Sequence, residues 1–461
     1  MKNAKAYFVP HPPLIIPEIG RGEQFGIQKT ISAYETIAKE IADFKPHTII
    51  FISPHALTYE DYFHIEKSIK NKGDLSQFQA SEIFFEQNSD INFINQIEQL
   101  AKTQNIKAGT LGQQGSKMDH GVMVPMYFIN KYFSKYDIVR LSFSGMSFLA
   151  HYNYGKMIQE VVNSNPEKRY VLIASGDLSH MLKDDGPYGF AKEGPLFDQK
   201  ICTILNHGNF LELFTIDPVI IDGAGECGFR SLMILAGFLD KLAIQAKLLS
   251  YEGPFGVGYA VASFEIVNND ESRNYGDKHQ KDEERRLSMI RKDEDPYVTL
   301  ARQSLEYFIL NGSRLPKDKI ETRLLNQKAG VFVSLKKHGS LRGCIGTIMP
   351  TTNSLEEEIV QNAISAGCED PRFDPVEANE LSELVYSVDI LNSPEKISSP
   401  QQLDVKKYGV IVRHKGRSGL LLPNLEGVDS VEEQMDIVLR KAGIKKTEPY
   451  TLERFEVVRH K

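Results

Sequence analysis

The sequence predicts an α/β domain with a mostly parallel central sheet flanked by helices, followed by an α+β domain with antiparallel hairpins. Three observations predict it. Short apolar runs alternate with helix-period segments up to residue 266, hairpin patterns replace them from residue 296, and a polar segment of mixed charge, 267–295, lies between. Strands separated by helices do not pair as hairpins. They line up in parallel and need cover on both faces.

In the first domain Ala6-Tyr7-Phe8-Val9 reads as a strand, Thr48-Ile49-Ile50-Phe51-Ile52 as the second and Asp137-Ile138-Val139-Arg140-Leu141-Ser142-Phe143 as the third. Tyr170-Val171-Leu172-Ile173-Ala174 is the fourth. Helices are expected over 28–44 and 153–163, and an apolar helix over 231–239. The runs 246–250 and 258–266 read as closing strands. The segment that follows is charged with both signs, as in Lys281-Asp282-Glu283-Glu284-Arg285-Arg286. Such a stretch buries too little surface to offset its ordering entropy, so it reads as a linker with a helical second half. The alternative is an exposed helix within one continuous domain. Past it, a helix over 297–310 precedes a hairpin, Gly330-Val331-Phe332-Val333-Ser334-Leu335 and 341–348 around Lys337-His338-Gly339-Ser340. A second hairpin pairs 408–413 with 419–422, and helices over 354–367 and 431–442 complete the pattern.

Length and composition fit this division. The 461 residues exceed one core, and 41% apolar with 25% charged residues is ordinary for folded domains. A net charge of -7 gives no general affinity for nucleic acid. Cys202, Cys227, Cys344 and Cys368 are widely spaced, which argues against a disulfide framework or a structural zinc site and fits a reducing cytoplasm. The start, MKNAKAYFVPHPPL, lacks the apolar core of a signal peptide, and no apolar run approaches the ~20 residues of a membrane span. The expectation is a cytoplasmic protein without a membrane partner.

His11, His55 and His180 each stand just past the C-terminal end of an apolar strand, where open α/β sheets collect their ligands. His120 lies in Asp119-His120-Gly121. One histidine so placed is more often a hydrogen-bonded structural residue; three in one topological position point to a metal or to acid–base work. Two imidazoles and a carboxylate form the facial set that leaves open positions on Fe(II). The carboxylate candidate is Glu226 in Gly223-Ala224-Gly225-Glu226-Cys227-Gly228, whose alternative role is an acid at a helix N-terminus.

His11 in HPPL, His55 in SPH, DHG at 119–121 and SGDLSH at 175–180 together resemble the LigB-type class III extradiol dioxygenases, over roughly residues 1–266. The resemblance implies Fe(II), or another divalent transition metal, on His11, His55 and a glutamate, with His120 and His180 acting on protons or substrate. The implied reaction is ring cleavage of a catechol-like diol beside its hydroxyls. The distantly related Memo family shares the fold and places a cysteine followed by glycine near the third ligand. Glu226 and Cys227 are adjacent here, so either stands as that ligand.

Residues 296–461 resemble the AMMECR family through Leu341-Arg342-Gly343-Cys344-Ile345-Gly346, Asp370-Pro371-Arg372-Phe373 and Arg417-Ser418-Gly419-Leu420-Leu421-Leu422-Pro423. This implies an α+β fold without a settled activity. If Arg342, Cys344 and Arg372 cluster, a thiol beside two guanidiniums would react readily or bind an anion; otherwise Cys344 is a buried small apolar residue and Arg342 pairs with Glu369 or Asp370. The turn Arg413-His414-Lys415-Gly416-Arg417 is either a solvated tip or a phosphate contact. Two function classes follow: a dioxygenase acting on a small aromatic diol, or a metal protein acting on a macromolecule presented by the C-terminal domain. A scaffold that has lost turnover is the third possibility.

Overall fold

The computed structural model describes residues 3–320, 328–337, 339–425 and 427–461; His338 of the expected first C-terminal turn lies outside them. The chain divides into two compact units, Met1–Gln280 and Lys281–Lys461.

The first unit is built on ten strands: β1 (Ala4–Val9), β2 (Thr48–Ile52), β3 (Phe63–Glu66), β4 (Lys70–Leu75), β5 (Ala80–Asn88), β6 (Ala108–Gly109), β7 (Asp137–Leu141), β8 (Tyr170–Ser175), β9 (Leu242–Glu252) and β10 (Tyr259–Asn269). Eight of them form one sheet in the order β6-β3-β7-β2-β8-β1-β10-β9. Its centre is parallel: β7 with β2, β2 with β8, and β8 with β1. The closing strands β9 and β10 are antiparallel to each other and to β1. All five residues of β2 are buried. Alternate residues serve two cores: Phe8, Ile50, Ile52 and Leu172 enter one, Tyr7, Ile49, Phe51 and Val171 the other. A central parallel strand therefore has no solvent face, which is why these runs are continuously apolar.

Helices cover both faces. The helix Gln28–Phe44 buries Thr30, Ala33, Tyr34, Ile37, Ala38 and Ile41, a stripe at three- and four-residue spacing, and stops at Lys45, whose φ is 52°. The helix Phe148–Asn163 starts at Ser147, whose hydroxyl accepts from Ala150 N–H at 3.2 Å. The helix Phe229–Phe238 is buried nearly all round. No helix among the described residues is long and apolar enough to cross a membrane.

The charged segment is more ordered than an open linker. Strand β10 runs to Asn269, Asp270 N–H donates to Lys241 O at 2.8 Å, and Tyr275 is buried in the first unit's core. From Tyr275 to Asp293 the chain is helical. One aromatic anchor and ion pairs such as Arg286–Glu283, 2.8 Å apart, supply what the mean composition of the segment conceals.

In the second unit, β11 (Gly330–Lys337), β12 (Ser340–Gly346), β13 (Leu384–Leu391), β14 (Glu395–Ile397), β15 (Gly409–His414), β16 (Arg417–Leu421), β17 (Thr451–Phe455) and β18 (Val457–His460) form two antiparallel sheets, β12-β11-β13-β18 and β14-β17-β15-β16. Helices Pro296–Asn311 and Leu355–Cys368 share a core with the first sheet, and Val431–Ala442 shares one with the second.

Candidate metal centre

Strands β1, β2 and β8 are neighbours with the same direction, so the loops after them meet at one sheet edge. His11, His55 and the Ser175–His180 loop arrive there together. His11 Nε2 and His55 Nε2 are 2.9 Å apart. The rings of His55 and His120 are 4.0 Å apart by centroid, and those of His11 and His120 5.2 Å. His11 is buried at the base of the cluster and His55 is exposed. One donor atom each from His11, His55 and His120 falls within 4.8 Å of the others, as do those of His11, Asp177 and Cys227. Cys227 Sγ is 3.7 Å from His11 Nε2.

Glu226 is not part of this group. Its Oε2 accepts from Phe229 N–H at 2.5 Å, capping the helix Phe229–Phe238. Adjacent residues at a helix start point in different directions, so one turns to the helix and the other, Cys227, to the histidines. A close approach fixes that choice: a Cβ on Gly176 would lie 2.1 Å from Gly228 Cα. The two glycines let the loop after β8 touch the helix start, and Asp177 N–H donates to Cys227 Sγ at 3.2 Å.

The support around the donors is specific. His11 Nδ1 is 2.9 Å from Ser175 Oγ, and its backbone N–H donates to Asp177 Oδ1 at 2.8 Å. With Nδ1 donating to Ser175, the Nε2 lone pair is left free. Ser53 Oγ donates to Asp119 Oδ1 at 2.5 Å and accepts from His55 N–H at 3.2 Å. This locks the SPH loop to the DHG turn, and a Cβ on Gly121 would sit 2.3 Å from Ser53 Oγ. Asp177 and Ser175 belong to the SGDLSH motif, whose pattern alone assigns them no role. A carboxylate between a strand end and a histidine was the available signal.

Burial governs the protonation. Burial, then the imidazoles of His55 and His180, push His11 well below the ordinary histidine value. The same cause, with His55 and His11 adding, takes His120 to about 3. Burial also lowers His180, against the attraction of Asp177. Burial raises Asp177 to about 6 and the Cys227 thiol well above its usual value. The imidazoles of His11, His120 and His180 are therefore neutral. Two Nε2 atoms 2.9 Å apart share either a proton or a cation. Ligand distances of about 2.0–2.1 Å for nitrogen and about 2.3 Å for thiolate suit one ion spanning separations of this order. A cation would also deprotonate the thiol that burial keeps neutral. The donors fit a transition metal in two sets that share His11, one with His55 and His120 and one with Asp177 and Cys227.

The loop carrying His180 has its own anchor. Asp198 accepts from Ser179 N–H at 2.8 Å and from the Tyr251 hydroxyl at 2.6 Å. Burial raises its carboxyl to about 7 despite both bonds. An acid with a raised folded pKa stays protonated in the native state while the unfolded chain ionises. Native stability therefore falls as pH rises from the ordinary carboxylate range through about 7. Asp198→Asn should flatten this part of the stability profile in chemical unfolding. An unchanged slope would contradict the assignment.

In the second unit Arg342 and Arg372 flank Phe373, with guanidinium carbons 6.0 and 5.5 Å from its ring. Both forks are taken by carboxylates. Arg342 donates to Glu380 at 3.0 and 2.8 Å, and Arg372 to Asp370 at 2.9 and 2.7 Å. Arg342 thus forms a structural pair, with Glu380 rather than Glu369 or Asp370. The expected anion surface is neutralised from within. Cys344 is half-buried, its N–H donating to Asp370 at 2.9 Å and its Sγ accepting from Ser334 Oγ at 3.2 Å. Arg417 of the basic turn pairs with Glu448, 2.6 Å away, and Arg413 with Glu453, 3.4 Å away. The side chains of Arg342 and Glu380 are only 16% and 15% exposed. Arg342→Ala should therefore cost about 1.5–3 kcal/mol, limited by Lys337, which also reaches Glu380. Thermal unfolding of the full chain without any ligand measures it, and an unshifted transition would refute the structural role.

Comparison with known proteins follows the same division. Residues 5–262 match the family described as the catalytic LigB subunit of aromatic ring-opening dioxygenase, and residues 298–460 match AMMECR1. A protein of Clostridium acetobutylicum is 43% identical, covering 99% of this chain and 98% of its own length. A protein of Thermotoga maritima is 47% identical over 36% of this chain and 98% of its own. The crystal structure of an uncharacterized protein from Pyrococcus horikoshii is 32% identical, with a TM-score of 0.33, and covers 35% of this chain and 88% of that one. One from Escherichia coli K12 is 13% identical, with a TM-score of 0.37, covering 57% and 99%.

Proposed function

We propose that this chain, which belongs to the LigB family of aromatic ring-opening dioxygenase subunits and carries an AMMECR1 domain after it, is a metal-dependent dioxygenase acting on a catechol-like diol. One observation carries the reading: His11, His55, His120, Asp177 and Cys227 converge at the C-terminal ends of three adjacent parallel strands. His11, His55 and Cys227 hold the metal, with Fe(II) the metal that suits the reaction. The thiolate replaces the carboxylate of the usual facial set. A bound metal supplies Lewis acidity toward the diol oxygens and a path for electrons to dioxygen.

The chain's own residues do the remaining work. Ser175 and Asp177 fix His11 through its ring and its backbone. Exposed His55 leaves the cluster open on one side for substrate. His180 and His120 are neutral near pH 7 and so able to accept a hydroxyl proton from the diol. Ring cleavage places both oxygen atoms of dioxygen in the product, so it needs no external reductant. The test is metal content of anaerobically purified protein, followed by oxygen uptake with a panel of catechols. Stoichiometric metal and uptake matched to diol consumed support the reading. Metal-loaded protein that leaves every diol intact overturns it.

A further inference from the structure

Tyr188 is 59% exposed, yet its ring stacks on His180, with centroids 5.1 Å apart and planes 26° apart. The loop that presents it is fastened at its base. Leu182 and Phe190 form an isolated bridge, and Ala191 N–H donates to Met181 O at 3.0 Å. Leu182 N–H donates to Gly256 O at 3.1 Å and Lys183 Nζ to Pro254 O at 2.9 Å. Gly189, at φ 81°, turns the chain immediately after Tyr188. The tyrosine is thus delivered by a tethered turn onto the ring of His180.

His180 needs such a support. An acid–base imidazole must keep one nitrogen directed at its substrate, and a hydrogen bond to the other nitrogen ordinarily fixes it. His11 has that bond, to Ser175. Among the described residues the ring nitrogens of His180 have none, and its backbone alone is held, by N–H donation to Ala224 O at 3.0 Å. The flat contact with Tyr188 is what restricts rotation of the ring. We propose that Tyr188 is the positioning residue of His180, holding the plane of the imidazole beside the metal centre. The proposal rests on the reading of His180 as the acid–base group of a diol-cleaving site.

The test uses full-length protein with carbon-13 at histidine Cε1, in which His180→Gln identifies the His180 signal. A proton over the face of a tyrosine ring is shielded, so Tyr188→Leu should move His180 Hε1 downfield and Tyr188→Phe should return it. With metal restored and catechol as the probe, Tyr188→Leu should lower kcat by up to about 100-fold, the scale of a misplaced catalytic group, and leave KM nearly unchanged. Tyr188→Phe should recover kcat, and metal content should be equal in all three proteins. A His180 signal indifferent to Tyr188→Leu overturns the proposal, and so does undiminished kcat in that variant. If wild-type protein holds metal and leaves catechol intact, the diol reading falls while the His180 signal alone decides the role of Tyr188.

Discussion

Cys227→Ala will strip the full-length protein of its metal, whereas Glu226→Ala will keep it. Cys227 Sγ lies 3.7 Å from His11 Nε2, while the Glu226 carboxylate is engaged by the helix start at Phe229. Loss of a residue that merely orients a ligand weakens metal binding about 10–100-fold, so loss of the thiolate itself should exceed that range. His11→Ala should be equally severe, because its Nε2 is common to both donor groups. Glu226→Ala removes a helix cap and should cost about 1 kcal/mol of stability. Metal content after dialysis, read beside the unfolding midpoint, separates the two effects. A Glu226→Ala protein that loses its metal while Cys227→Ala keeps it would restore the carboxylate to the ligand set.

The adjacency of Glu226 and Cys227 marks the limit of what the sequence shows. The histidines were legible because each follows a continuously apolar strand, and such a strand has a defined end. The choice between two neighbouring donors depends on which faces the helix, and that follows from the contact of Gly176 with Gly228, some fifty residues apart in the chain. Strand β3 shows the same difficulty in the fold. Its residues Phe63, His64, Ile65 and Glu66 are all buried, so a polar strand hides in the sheet. Glu66 is tolerated because Ser68, Gly115 and Ser116 donate to it, which holds its carboxyl at about 2. Hydrophobic patterning cannot see a strand whose burial is made possible by a loop fifty residues away. The hairpin of β4 and β5 was missed for a simpler reason: Lys70-Asn71-Lys72-Gly73-Asp74 offers no apolar alternation. The arginines of the second unit were found, but Glu380, the partner of Arg342, lies outside both motifs that drew attention to them, whereas Asp370, the partner of Arg372, lies within one.

His180→Gln should leave metal binding near normal and reduce diol turnover about 100-fold or more, the usual scale for a lost acid–base group. Its ring stacks on Tyr188 and feels Asp177 and His55 through space, and it is absent from both donor groups around His11. His120 is the sharper case. Its ring is 4.0 Å from that of His55, and its donor atom falls within the first of those groups. Two roles compete for it, a further ligand and a base held against the metal. It is the first residue of the helix His120–Asn130 and follows Asp119, which Ser53 joins to the loop of His55. Under the proposed ligand set of His11, His55 and Cys227, His120→Gln should retain metal and lose turnover, like His180→Gln. Metal analysis and single-turnover oxygen uptake on both variants decide it. Retained metal with lost turnover in both places the two histidines on the substrate side. Loss of metal in His120→Gln alone would make that imidazole a fourth ligand and leave proton transfer to His180.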